Sequence, residues 1–297
     1  MKKILLISLI IFLIKFDLAY ANNFEYPDAN LYKYDSNEVN LFNNFEKEIK
    51  NNVPRSHNYI TDNKIINYVL KFNYNIDSYN NKFFTVFILN ELANTVEKNV
   101  FSLSKNKTAI NFIANHEFNN DFSNSSIKNK LLAWVLMRQS LSEDSQEYYI
   151  QRRINLLNSI IKNSPKYAAM ALYMITCHEY IWLDITPKSL KLGIQGLEKV
   201  ISTYPETEFA AYAHVLIAYQ YTYHLKNYNS AIQYVKRAIN YKNFYCGGQS
   251  DLYSDLYVPL LKAYKESNDM EMVKNILKKI NKNSFNYVKI YTHYSKQ

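Results

Sequence analysis

With 4 glycines and 6 prolines in 297 residues, the chain has few residues that bend or break a backbone. Folds rich in tight β-turns draw on glycine for their φ > 0 positions, so this scarcity argues for long helices joined by short polar turns. No glycine-rich phosphate cradle is present. The only glycine pair, in Cys246-Gly247-Gly248-Gln249-Ser250, reads as a turn between helices. Cys177 and Cys246 are the only cysteines. Beyond the N-terminus no apolar run reaches the roughly 20 residues that a membrane-spanning helix needs. Aromatic residues are plentiful instead. The 28 Tyr and 16 Phe supply much of the core volume, with many Tyr rings inside and their hydroxyls at the surface.

The chain starts Met1-Lys2-Lys3, continues through an apolar stretch at 4–14, and reaches Leu18-Ala19-Tyr20-Ala21. A basic start, a short apolar run and a small-x-small ending are the three parts of a secretory signal peptide, so residues 1–21 are assigned to one. The mature protein is therefore expected to be exported, periplasmic or secreted, with no transmembrane segment. An oxidising compartment lets Cys177 and Cys246 form a disulfide, provided their Cα atoms come within about 7 Å. Loss of Lys2, Lys3, Lys15 and Asp17 lowers the formal charge of +9 by two. A basic exported chain could touch an anionic lipid or wall polymer; nucleic acid is not an expected partner. The tight basic pairs, Arg152-Arg153 and Lys278-Lys279, read as solvated helix faces.

Residues 22–35 show no helical period and read as a flexible leader. Helices are expected at 37–51, 62–74, 82–100 and 107–118, an irregular N-terminal region spanning 36–118. The polar stretch 119–126 (NNDFSNSS) is the best internal boundary, and 285–297 reads as a tail. Between them, over 127–284, a pattern recurs. Gly193, Leu197, Val200 and Pro205 return as Ala231, Val235, Ala238 and Asn243, then as Val273, Leu277, Ile280 and Phe285. A weaker earlier copy is Arg153, Leu157, Ile160 and Pro165. The copies begin 40, 38 and 42 residues apart, and spacings of four and three put the first three residues of each on one helical face. Each such helix follows a more aromatic one, in which Tyr173, Cys177 and Tyr180 correspond to His214, Ala218 and Tyr221. Fixed-period self-similarity of this kind signals stacked helical hairpins.

The stretch from LGIQGLEKVISTYP to YNSAIQYVKRAIN resembles tetratricopeptide repeats, in particular those of periplasmic proteins of the outer-membrane assembly lipoprotein and Tol–Pal-associated types. Tyr204-Pro205, Ala218, Tyr221, Tyr228, Ala231 and Ala238 carry the resemblance. Arg153 departs from it, standing where a small residue belongs, and the spacing exceeds the usual length of about 34. The resemblance implies an all-α, tetratricopeptide-like α-hairpin solenoid whose concave face is lined by the first helix of each hairpin. By the repeat alignment that face would carry His178, Trp182, Tyr212, Tyr219 and Tyr223 as partner-binding residues.

Catalytic and metal constellations are not evident. His116-Glu117 and His178-Glu179 each lack the second His, four residues away on the helix, that a zinc protease uses. His214 and His224 are ten apart, which does not share a face. No cofactor is expected. The sequence thus points to a non-enzymatic, protein-binding scaffold of the cell envelope, partnered by a protein or peptide. An envelope enzyme with a helical support domain, whose carboxylates Glu46, Glu48, Glu91 and Glu97 show no persuasive pairing, and a secreted effector are the alternatives. Mass spectrometry of the exported protein should find its N-terminus at Asn22; membrane-bound material retaining Met1 would identify an uncleaved anchor instead.

Overall fold

The computed structural model describes residues 25–31, 36–52, 59–72, 76, 83–100, 105–138, 146–181, 186–242, 244, 251–283 and 287–295. Among these the chain is all-helical, with thirteen α-helices and no strand. No helix among them is long and apolar enough to cross a membrane. Residues 1–21, expected to be a signal peptide, Trp182, Cys246 and the pairing of Cys246 lie outside the described residues.

The N-terminal helices are α1 (Ser36–Asn52), α2 (Tyr59–Lys71), α3 (Phe83–Asn99) and α4 (Lys107–Glu117), all within three residues of the expected bounds. Next come α5 (Asn124–Met137), α6 (Gln146–Asn163), α7 (Pro165–Met174), α8 (Pro187–Thr203) and α9 (Glu208–Tyr219). The last four are α10 (Tyr228–Ala238), α11 (Leu252–Glu266), α12 (Met270–Lys279) and α13 (Tyr287–Ser295). From α6 onward each helix packs on the next, while α7 also meets α9 and α9 meets α11. These alternate helices form a row, and α3 packs against it at α7.

The starts follow from side-chain chemistry. Thr186, Thr207, Asn227, Asp251 and Asp269 each accept a hydrogen bond from the backbone N–H three residues on, satisfying a donor that the helix leaves orphaned. Pro187 opens α8, where its missing N–H costs nothing. The turns into α10 and α12 share one form. Each places a non-glycine residue in the left-handed region, Lys226 at φ 53° and Asn268 at φ 58°, just before the capping Asn or Asp. From the repeated sets Leu197, Val200, Ala231, Val235, Ala238 and Val273 are fully buried, whereas Pro205 is exposed and Asn243 and Phe285 lie outside the described residues.

The first helices carry a feature that the spacing did not reveal. α7 runs into a π-helical segment at Ile175–Ile181, and α9 into another at Gln220–His224. Helix α8 lies so close to the first of these that a Cβ on Gly193 would stand 2.5 Å from Ile181 Cγ1, and one on Gly196 2.6 Å from Thr176 Oγ1. Glycine is required there by the close approach.

Arg153, expected on a solvated face, is buried. Its guanidinium donates from Nε and Nη2 to the two carboxylate oxygens of Glu179, at 2.8 and 2.7 Å, and from Nη1 to the Met137 carbonyl at 3.0 Å. Glu179 stands on the π-helical segment, so the pair ties α6 to it. The neighbouring Arg152 is paired as well, through Nε and Nη2 to Glu117 of α4. The two arginines thus point to different carboxylates, and neither belongs to a free basic patch.

The stretch 119–126 is a turn between packed helices, α4 and α5, with Lys130 buried beneath it and donating to the carbonyls of His116 and Asn119. One apolar core runs continuously from Tyr26 to Tyr294 across it. The expected leader and tail also differ from their reading. Within 22–35, residues 25–31 dock on the last hairpin: Tyr26 and Ala29 are buried, and the Tyr257 hydroxyl donates to the Pro27 carbonyl. Within 285–297, α13 packs on α12. Both segments find apolar surface at the end of the row.

Removing one member of a buried, hydrogen-bonded ion pair strands the other, at a cost of about 3–5 kcal/mol. Arg153→Met should lower stability by that order in denaturant unfolding. The double variant Arg153→Met/Glu179→Leu should recover most of the loss, because no uncompensated charge remains.

Candidate functional site

The sequence GluPheAlaAlaTyrAlaHisValLeuIleAlaTyr of α9 has no polar face, and the helix is buried without a break from Phe209 to Val215. A helix that is apolar all round must be covered on both sides. Helices α8 and α10 supply one cover. On the other, Phe83 of α3 stacks on Tyr212 with centroids 4.0 Å apart and planes at 22°, and meets Tyr173 and Phe209 at 5.4 and 6.1 Å. The chain's own N-terminal helix therefore occupies the face expected to receive a partner.

This corrects two of the five expected binding positions. Tyr212 is 4 % exposed, and its hydroxyl donates to the Phe244 carbonyl at 3.2 Å. His178 is 5 % exposed and sits edge-on to Trp134, centroids 5.0 Å apart. Burial, reinforced by the charges of Arg138 and Arg153, holds its imidazole well below the ordinary His range, so the ring is neutral. Neither ring presents a surface in this conformation. Trp182 lies outside the described residues.

Tyr219 and Tyr223 are placed differently. They stack on each other with centroids 5.4 Å apart and planes at 19°, and both are half-buried. They wall one side of a cavity of about 410 Å³. Val258 and Lys262 of α11 form its floor, and Lys289, Ile290, His293 and Tyr294 of α13 close the other side. Tyr223 and Tyr294 are hydrogen-bonded through their hydroxyls, and burial raises both phenols above the ordinary range. The Lys262 ammonium lies 5.7 Å from the Tyr223 centroid and bonds Glu266 at 3.0 Å. Among the described residues no carboxylate lines the cavity; its charged members are the two lysines. Tyr221 is half-buried against the core and stacks on Tyr234. The π turn around it departs from a 3.6-residue register.

Sequence reasoning missed Lys289, Ile290 and Tyr294 because 285–297 read as a tail, and it missed Lys262 on α11 because no local spacing pairs it with them. A signal existed. Tyr287, Ile290, Tyr291 and Tyr294 recur at intervals of three, one and three, the stripe of an amphipathic helix. Chemistry of other kinds finds no constellation here. Among the described residues no group of three or more His, Cys, Asp and Glu side chains is placed to hold a metal ion. The Cys177 thiol is buried, and burial pushes its pKa up, which disfavours the reactive thiolate.

No protein-family model matches the chain, and neither the curated proteins nor the solved structures give a match.

The contrast between the two kinds of tyrosine is measurable. Tyr212→Ala truncates a fully packed ring and should cost about 3–5 kcal/mol in thermal or denaturant unfolding. Tyr219→Ala, at a half-buried cavity wall, should cost roughly 1 kcal/mol. Equal losses would place Tyr219 in the core.

Proposed function

We propose that the protein is an exported scaffold of tetratricopeptide-like hairpins that holds a partner protein or peptide of the cell envelope at the Tyr219–Tyr223 cavity, with no catalytic role. The observation that carries this reading is the cavity itself. At about 410 Å³, walled by stacked aromatics and edged by two cations, it falls in the size range of ligand sites. Aromatic rings offer large contact area at a low cost in side-chain entropy, which suits a recognition surface. The hairpin assignment is supported by the repeated apolar sets and by the matching left-handed turns at Lys226 and Asn268. Export rests on the sequence of residues 1–21.

The reading moves the binding face from the whole concave surface to its C-terminal end. There α9 passes into its π-helical segment and the aromatic cover supplied by Phe83 gives way to an open space. A solenoid commonly offers an extended concave groove. A cavity of about 410 Å³ favours a small epitope over a long peptide.

The test is capture from envelope extract with the mature chain as bait. A specific partner should be retained by the wild type and by a distant surface variant such as Lys199→Gln, and lost or weakened at least about tenfold by Tyr219→Ala and Tyr223→Ala. Capture unchanged by both tyrosine variants would remove the cavity from the binding surface.

A further inference from the structure

The charges around the cavity are unbalanced in a way that its size alone does not require. Among the described residues Lys262 and Lys289 both line it and no acid does, and the other polar groups of its walls are the tyrosine hydroxyls and the His293 imidazole. Lys289 is exposed at the rim and makes no ion pair among the described residues. Lys262 is held at 3.0 Å by Glu266, which is itself outside the lining. That pair is an exposed i,i+4 bridge worth little to the fold, so it yields readily to a better anion.

We infer that the cavity binds a carboxylate carried on a planar apolar body, the ring lying against the Tyr219–Tyr223 stack and the carboxylate between Lys262 and Lys289. The assignment rests on the scaffold reading and gives its occupant a chemistry. A face-on ring gains contact area and favourable offset stacking on the tyrosines. A carboxylate entering from solvent gains two charge-assisted hydrogen bonds from ammonium groups, a stronger interaction than neutral donors provide. A cation in the same place would meet two like charges, and a purely apolar ligand would leave both lysines partly desolvated without an anion. The same chemistry can arrive as a free aromatic acid or as the C-terminal aromatic residue of a peptide, and 410 Å³ accommodates either.

Calorimetric titration of the mature chain separates these cases. The probes are 3-phenylpropionate and its neutral amide, and acetyl-Gly-Phe with a free C-terminus and as the C-terminal amide. Each acid should bind saturably and about tenfold or more tighter than its amide, with affinity falling as salt rises. Tighter binding of 3-phenylpropionate assigns the site to a free aromatic acid; tighter binding of the peptide acid assigns it to a chain terminus. Lys289→Gln should weaken the preferred acid about tenfold without moving the melting temperature. Glu266→Gln should strengthen it several-fold by releasing Lys262, a gain that a structural role for either residue would not produce. Equal affinity for acid and amide, absence of saturable binding by all four probes, or indifference to both charge variants would overturn the inference. If Tyr219→Ala abolishes partner capture while Lys289→Gln leaves it intact, the scaffold reading stands and the anion site falls.

Discussion

Phe83 lying flat on Tyr212 marks the constraint from which the rest of this structure follows. The first helices of the hairpins are apolar around most of their circumference, and α9 most of all, so a single layer of second helices cannot satisfy them. Something has to cover the other side. In this chain the cover is internal, because α3 sets Phe83 among Tyr173, Phe209 and Tyr212. Burying an aromatic side chain against such a surface is worth about 1.5–3 kcal/mol, a strong reason for the N-terminal helices to stay where they are. About two and three helical turns beyond Tyr212, Tyr219 and Tyr223 are only half-buried and line the cavity instead.

The π-helical segments decide what stands at that end. Each widens the helix locally and displaces the side chains that follow from an α-helical register, which is why π turns recur where a helix must present a particular group. In α7 the displaced turn carries Glu179 inward to Arg153, and it is pressed against α8 closely enough that Gly193 and Gly196 admit no Cβ without movement of Ile181 and Thr176. In α9 the equivalent end carries Tyr223 beneath Tyr219 and toward Tyr294. One hairpin uses the turn to bury a charge pair and the next uses it to build a cavity wall. The buried pair also accounts for Arg153 where the repeat pattern calls for a small residue. The long guanidinium reaches a buried carboxylate that stands on the π turn.

Much of the fold was legible because it depends on periodicity. Intervals of four and three placed Leu197, Val200, Val235 and Ala238 on buried faces, and the polar residues before each apolar run marked the capped starts of α9 to α12. The site was read less well, since a solenoid alignment assumes that the concave face is open. His178 and Tyr212 were chosen on that assumption and lie inside. The contrary evidence was available in the composition of α9, where Glu208 and His214 are the only polar residues and no solvent face can be drawn. What was not legible is the long-range pairing, Phe83 with Tyr212 or Arg152 with Glu117, because no local spacing records it. The π turns are likewise silent in the sequence.

The two segments read as unstructured ends complete the argument about covering surface. At the end of a row of packed helices the last member has an apolar side and no further neighbour, and that surface needs cover. Here both ends of the described chain serve. Residues 25–31 lie against one side of α11, where Tyr257 donates to the Pro27 carbonyl and the Tyr26 and Tyr264 hydroxyls meet at 2.9 Å. Helix α13 approaches another side, where Val258 and Lys262 face the cavity. Tyr257 and Tyr264 are seven residues apart and Val258 and Lys262 four apart, so each pair shares a face and the two faces are adjacent. The strap and the cavity are therefore built on opposite flanks of one ridge of α11. The contacts that cover one face of α11 and the residues that line the cavity on the next face thus belong to a single helix, and a change in how that helix is seated would be felt on both.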